Sequence, residues 1–167
     1  MQSYIHKLPR AAMLAAICTV LTLAVRIPSP LGGYLNLGDC GVLLSAWWLG
    51  PAWGAATAGI GSAFADLLGY PLYAPATLGI KALMAAVSAW ALRAMQHHGS
   101  SSPAAYCAAG LAGETVMVLG YFFFESAALG FGLAAAANIP FNMLQGALGI
   151  LCAVWMARQG AFIKSLR

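Results

Sequence analysis

From Leu8 to about Val25 the chain is apolar almost without interruption, which predicts a helix long enough for most of a bilayer core of roughly 20 residues. A break follows from Arg26 to Asp39, reading Arg-Ile-Pro-Ser-Pro-Leu-Gly-Gly-Tyr-Leu-Asn-Leu-Gly-Asp. Proline lacks the amide hydrogen and glycine costs about 1 kcal/mol per helical position, so this stretch predicts a loop of defined shape. Asp39 to Leu49 is apolar again, but at about 16 to 18 Å it is too short to span alone. Gly50-Pro51 interrupts it, and Ala52 to Leu68 predicts a third helix in which Gly54, Ala58, Gly61 and Ala65 allow close packing. The second and third segments form a hairpin whose short arm needs shielding by protein. Gly69 to Pro75 is a loop, Ala76 to about Met95 a fourth helix, and Gln96 to Pro103 a polar connector. Ala104 to Glu125 is a fifth helix, and Ser126 to Ile139 a small-residue loop or short amphipathic turn. Pro140 suits the start of a sixth helix that runs to about Arg158.

Composition turns this pattern into a class. Hydrophobic residues make up 62% of the 167 positions and charged residues 7%, where soluble domains carry roughly a quarter charged. The expected fold is an all-α membrane protein, one integral domain over residues 1–167, with six transmembrane helices and a long structured outer loop between helices 1 and 2. No polar mature chain follows residue 30, so the first apolar segment reads as a retained helix and not as a cleaved signal. The net charge of +4 comes from basic residues scattered at segment ends, which fits lipid headgroups and excludes a nucleic-acid face. Cys18, Cys40, Cys107 and Cys152 lie far apart without a C-x-x-C pair and read as small buried hydrophobes.

Basic residues also orient the chain. With the N-terminus cytoplasmic, the inner segments hold Lys7, Arg10, Arg93, Arg158, Lys164 and Arg167, and the outer loops hold Arg26. Both termini are then cytoplasmic and the Arg26 to Asp39 loop faces outward. Asp39, Asp66 and Glu125 fall at outer helix ends, and Glu114 within the membrane.

An ionisable residue at membrane depth costs about 2.5 to 3.5 kcal/mol on insertion scales and marks function by default. Lys81 and Glu114 are the clear cases. Glu114, Met117, Tyr121 and Glu125 line one face of the fifth helix, and Thr77, Lys81 and Ser88 one face of the fourth. Asn142 and Gln145 sit three apart in the outer turns of the sixth. The bland alternative pairs Lys81 with Glu114 or another acid and makes Asn142 and Gln145 interhelical hydrogen-bond glue. Convergence of these groups at one depth describes a small-molecule pocket. Asp39 has two readings, as a cap of the second helix or as a ligand contact. Asp66 opposes the dipole at the end of its helix and needs a cationic or hydrogen-bonding partner. Ala11, Ala12, Ala15 and Ala16 form overlapping small-xxx-small pairs, which serve either internal packing or the approach of another helix.

Several chemistries are excluded. The sequence has no G-x-x-x-x-G-K-[ST] phosphate loop. His6, His97 and His98 fall at the cytoplasmic ends, away from Ser62 and Glu114, so neither an intramembrane serine protease nor a zinc site is expected. Enzyme activity, a metal and a cofactor in this chain are all unexpected.

Arg-Ala-Ala-Met-Leu-Ala-Ala from Arg10, Gly-Gly-Tyr-Leu-Asn-Leu-Gly-Asp, Leu-Gly-Pro and Gly-Ile-Gly-Ser-Ala-Phe-Ala-Asp follow one another in order. Tyr-Ala-Pro-Ala-Thr-Leu-Gly-Ile-Lys81, Gly-Tyr-Phe-Phe-Phe-Glu125 and Ile-Pro-Phe-Asn-Met-Leu-Gln145 continue the series. Over nearly its whole length the chain resembles the substrate-binding S components of energy-coupling factor (ECF) transporters, most closely a branch associated with hydroxymethylpyrimidine or pyridoxine-type heterocycles. The resemblance implies a prokaryotic cell-membrane subunit that captures a vitamin or vitamin precursor from outside. It implies docking through Ala11, Ala12, Ala15 and Ala16 onto a transmembrane coupling (T) subunit, with ATP used by two cytoplasmic ATPase subunits. Combined with the polar faces, it gives a substrate site of Tyr34, Asn36, Asp39, Lys81, Glu114, Tyr121, Glu125, Asn142 and Gln145, with Tyr34 and Asn36 on a lid aimed by Gly32, Gly33 and Gly38. The rival reading is a self-sufficient secondary transporter or channel with Lys81 and Glu114 as a proton relay.

Overall fold

The computed structural model describes the backbone of residues 2–97, 99 and 102–165, and the side chains of 7–97, 99 and 102–159. His98 and Arg167, and the side chains of His6 and Lys164, lie outside the described residues. Six α-helices follow in order: α1 Gln2–Ala24, α2 Gly38–Leu49, α3 Pro51–Gly69, α4 Ala74–His97, α5 Pro103–Phe123 and α6 Ile139–Ser165. A π-helical turn, Phe124–Ala128, and a 3-10 helix, Gly132–Asn138, lie between α5 and α6. The Ser126 to Ile139 stretch is therefore helical in two short pieces.

The helix α1 begins earlier than the apolar pattern predicts, because Pro9 sits within it without ending it. The connector before α5 closes with Ser102 as an N-cap, its side chain accepting from the Ala105 amide. Pro103 takes the first helical turn, where a missing amide hydrogen costs nothing.

The helix α2 is the centre of the molecule. Its residues 38 to 46 are buried without a break, so this apolar-all-round segment packs inside a ring made by the other helices. Val42, Leu43, Leu44, Met84 and Met117 form the heart of the core with Cys18 and Ala58. At 12 residues α2 is about 18 Å long, and protein supplies the shielding its length requires. Small residues make the ring tight. A Cβ at Gly61 of α3 would lie 2.5 Å from the Ala15 carbonyl oxygen of α1, so no larger residue fits without moving a backbone.

Four segments are long and apolar enough to cross a bilayer: Lys7–Ala24, Ala74–His97, Pro103–Ala128 and Gly132–Gln159. They leave most of their surface unburied by protein, with Met13, Val20, Leu83, Trp90, Leu111, Leu151 and Trp155 exposed. Against the expected six crossings, the described residues hold six α-helices and four segments with the length and hydropathy of a span.

The Arg26 to Asp39 loop contains regular structure. Strands β1, Ile27–Pro28, and β2, Tyr34–Leu35, pair antiparallel, Ile27 opposite Leu35 and Pro28 opposite Tyr34. Gly32 and Gly33 make the turn with φ of 104° and 73°, values that side-chain-bearing residues rarely adopt. Gly38 does not share that role. It is the first residue of α2 and is needed because a Cβ there would run into the Thr22 and Asn36 side chains.

Candidate functional site

The hairpin β1–β2 rests on α6, on Asp66 of α3 and on Tyr73 just before α4, with its tip on Asn138, and a cavity lies beneath it. Empty space there amounts to about 470 Å³, the open mouth included. Its walls come from nearly every element. The end of α1 gives Thr22, the hairpin Ser29, Gly33 and Tyr34, and the link to α2 Asn36. Helix α3 gives Ser62 and Asp66, α4 with the residue before it Tyr73, Thr77 and Lys81, and α6 Asn142 and Gln145. Tyr121 and Glu125 complete the wall.

At the floor, Lys81 forms an ion pair with Asp39, both buried. The other Asp39 oxygen accepts from Gln145 Nε2 at 2.7 Å. Gln145 Oε1 then accepts from the Asn36 backbone amide at 2.9 Å and from its side-chain amide at 3.1 Å. Asn36 Oδ1 accepts from the Gly38 amide at 2.8 Å. One connected chain thus runs from Lys81 to the start of α2. Asp39 makes no capping bond; Asn36 accepts from that first helical amide instead, and Asp39 is free to neutralise Lys81.

A second network forms a side wall. Tyr34 donates to Asp66 Oδ1 at 2.5 Å, and Thr77 donates to Asp66 Oδ2 at 2.5 Å. Thr77 also contacts the Tyr121 hydroxyl at 2.9 Å. The guanidinium of Arg26 lies 5.2 Å over the Tyr34 ring, and Tyr34 packs on Tyr70 at 5.0 Å between centroids. Burial, and then the hydrogen bond to Asp66, push the Tyr34 phenol well above its ordinary pKa. Burial, and then Glu125, do the same for Tyr73.

The hairpin tip is held by a third set. Asn138 Oδ1 accepts from the Leu31 amide at 3.3 Å, and its Nδ2 donates to the Gly32 carbonyl at 3.3 Å and to Glu125 Oε2 at 2.9 Å. Tyr73 donates to Glu125 Oε1 at 3.4 Å. Tip, π-helical turn and 3-10 helix are tied together at one buried amide.

Of the residues expected at a site, Tyr34, Asn36, Lys81, Tyr121, Glu125, Asn142 and Gln145 line this cavity. Asp39 and Glu114 do not. Asp39 is fully buried behind Lys81 and Gln145. Glu114 lies deeper, its carboxyl 3.0 Å from where a Cβ of Gly146 would sit, and its two oxygens have no hydrogen-bond partner among the described residues. Lys81 pairs with Asp39, and no Lys81–Glu114 ion pair is present among the described residues. Sequence reasoning left Thr22, Ser29, Ser62, Tyr73 and Asn138 outside the site. Thr22 donates to the Cys18 carbonyl of its own helix and Ser62 stands between Gly61 and Ala63, so local sequence marks both as packing. Asn138 looks like a helix-start residue. Thr77, one turn from Lys81, carried a signal that its spacing made readable.

The four alanines of α1 divide between two faces. Ala11 is buried and Ala15 half-buried, turned towards the rest of the bundle, while Ala12 and Ala16 are exposed. The two pairs point about 100° apart on the helix, so the exposed face of α1 presents Ala12 and Ala16.

Comparison with known proteins places this geometry in a family. The sequence model of the ECF-type riboflavin transporter S component matches residues 2–160. An uncharacterized protein in gap 3′region of Pyrococcus woesei is 37% identical over 134 residues, covering 80% of this chain and 86% of that protein. The solved S component of a bacterial ECF transporter superposes with a TM-score of 0.68 at 22% identity, covering 98% of this chain and 99% of that one. The S component for biotin from an ECF-type ABC transporter superposes at 0.62 with 16% identity, covering 94% and 93%. At those identities the structures speak for the fold alone, whereas the family match spans almost the whole sequence. The chain is a multi-pass membrane protein that belongs to the S-component family of ECF-type transporters.

Proposed function

We propose that this chain is the high-affinity substrate-binding subunit of an ECF-type importer, capturing a small vitamin or vitamin precursor from outside the cell. The observation that carries this reading is the polar cavity closed by the β1–β2 hairpin, whose lining comes from α1, α3, α4, α5, α6 and the loop itself. Such a site binds a ligand with many partly buried contacts and performs no bond chemistry. Its substrate is a small heterocycle, with hydroxymethylpyrimidine or pyridoxine as the first compounds to try. Riboflavin joins them because it is the vitamin in the description of the matching family. All six helices sit in the membrane, α2 within the ring, and both termini face the cytoplasm.

Substrate enters from outside, the hairpin closes, and closure strengthens polar contacts by removing water. The loaded subunit then acts with a T subunit and two ATPase subunits, which use the ATP. The exposed Ala12 and Ala16 of α1 make the contact with the T subunit, since small residues let helices approach closely. Isothermal titration of the purified chain with the three vitamins tests the binding claim. Saturable binding of one of them is expected, and absence of binding to any of them by the folded protein contradicts it.

A further inference from the structure

The sequence holds four acidic residues, and all of them lie at or beneath the cavity. Asp39, Asp66, Glu114 and Glu125 are 0, 6, 4 and 3% exposed. Among the described residues that line the cavity, Lys81 is the one cation, and its charge is committed to Asp39. Asp39 neutralises the Lys81 charge, so an anion at the cavity floor meets a neutral pair and not a free cation.

The protons of the wall tell the same story independently. Tyr34 and Thr77 each have one hydroxyl proton, and each gives it to Asp66. The Thr77–Tyr121 bond must therefore use the Tyr121 proton. Tyr73 gives its proton to Glu125. These four hydroxyls have only lone pairs left to offer a ligand. Ser62 Oγ, buried on the same wall, has no partner among the described residues and can both donate to and accept from a ligand.

Resting on the reading of this cavity as a vitamin site, we infer that it selects uncharged ligands rich in N–H and O–H donors, and rejects the carboxylate and phosphate forms of the same compounds. A hydroxymethyl or amino substituent supplies protons to the Asp66 side of the wall, where Tyr34, Thr77 and Tyr121 have only lone pairs to offer. A carboxylate set there brings further acceptors and a negative charge beside Asp66 and Glu125, and is desolvated at a cost that the Asn142 amide and the Ser62 hydroxyl, the donors elsewhere in the lining, offset only in part.

The test uses the full purified chain and matched pairs: riboflavin against its phosphate ester, pyridoxine against the corresponding pyridine carboxylate, and hydroxymethylpyrimidine against its phosphate. In any pair whose uncharged member binds, the charged member is expected to bind at least about a hundredfold more weakly, the scale on which sites reject ligands that leave buried polar groups unpaired. Asp66→Asn brings donor hydrogens into the wall and should narrow that ratio, a change that general loss of folding would not produce. Equal or tighter binding of a charged member overturns the inference while leaving the vitamin-binding reading intact. If no member of any pair binds the folded protein, the vitamin-binding reading itself fails.

Discussion

Lys81 and Asp39 face each other as a buried pair. Removing one partner of a buried pair leaves the other uncompensated, at a cost of about 3 to 5 kcal/mol. Lys81→Met should therefore destabilise the protein by that order, measured by unfolding in mixed micelles. Adding Asp39→Asn should recover much of the loss, because the Gln145 bond keeps an acceptor. A second expectation concerns Tyr34 and Tyr73. A phenol raised in the folded state keeps its proton when the unfolded chain, with a pKa of about 10, has lost it, so stability falls as pH rises above that value. The melting temperature should stay level from about pH 6 to 9 and decline above about 10, with a shallower decline in Tyr34→Phe. Single positions were the least legible part of the sequence. Lys81, Tyr121 and Gln145 could be placed by helical spacing, since burial of a polar side chain on an apolar helix has few other readings. Asp39 could not, because a residue at a helix start serves a cap or a distant partner with the same local pattern. Only the three-dimensional position of Lys81 decides between them.

Among the elements, the hairpin β1–β2 carries the proposed closure. It is two residues per strand, and its tip is secured by the amide of Asn138. Asn138→Ala removes three hydrogen bonds, each worth about 1 kcal/mol net. The variant should release bound ligand about tenfold faster or more, with association much less affected, in stopped-flow measurements. Helices α2 to α5 were readable within a few residues, because Gly50-Pro51 is strong punctuation and the apolar runs are long, whereas α1 starts and α6 ends six or seven residues beyond the apolar pattern. The burial of α2 was also legible, since a segment too short to span has to be shielded. The hairpin was not legible: two paired residues leave no alternating pattern, and Pro28 within β1 argues against a strand. The 3-10 helix Gly132–Asn138 was hidden in the same way by its run of alanines.

For the molecule as a whole, the proposed docking through Ala12 and Ala16 predicts that assembly and binding can be separated. Ala12→Leu with Ala16→Leu should abolish uptake in cells while leaving ligand affinity of the purified chain within about twofold, because both side chains point away from the bundle. Loss of ligand binding in that variant would show that this face of α1 supports the site. The family, the helical architecture and the membrane setting follow from signals spread over the whole length, which is why they could be read early. The substrate depends on a few atoms contributed by distant segments and could not. The central claim is that this chain binds and its partners drive transport. Proteoliposomes containing this chain, with and without a T subunit and two ATPase subunits, measure it directly through uptake of labelled vitamin. The account predicts uptake only with the partners and ATP present; uptake by this chain alone, driven by a proton gradient, would contradict it.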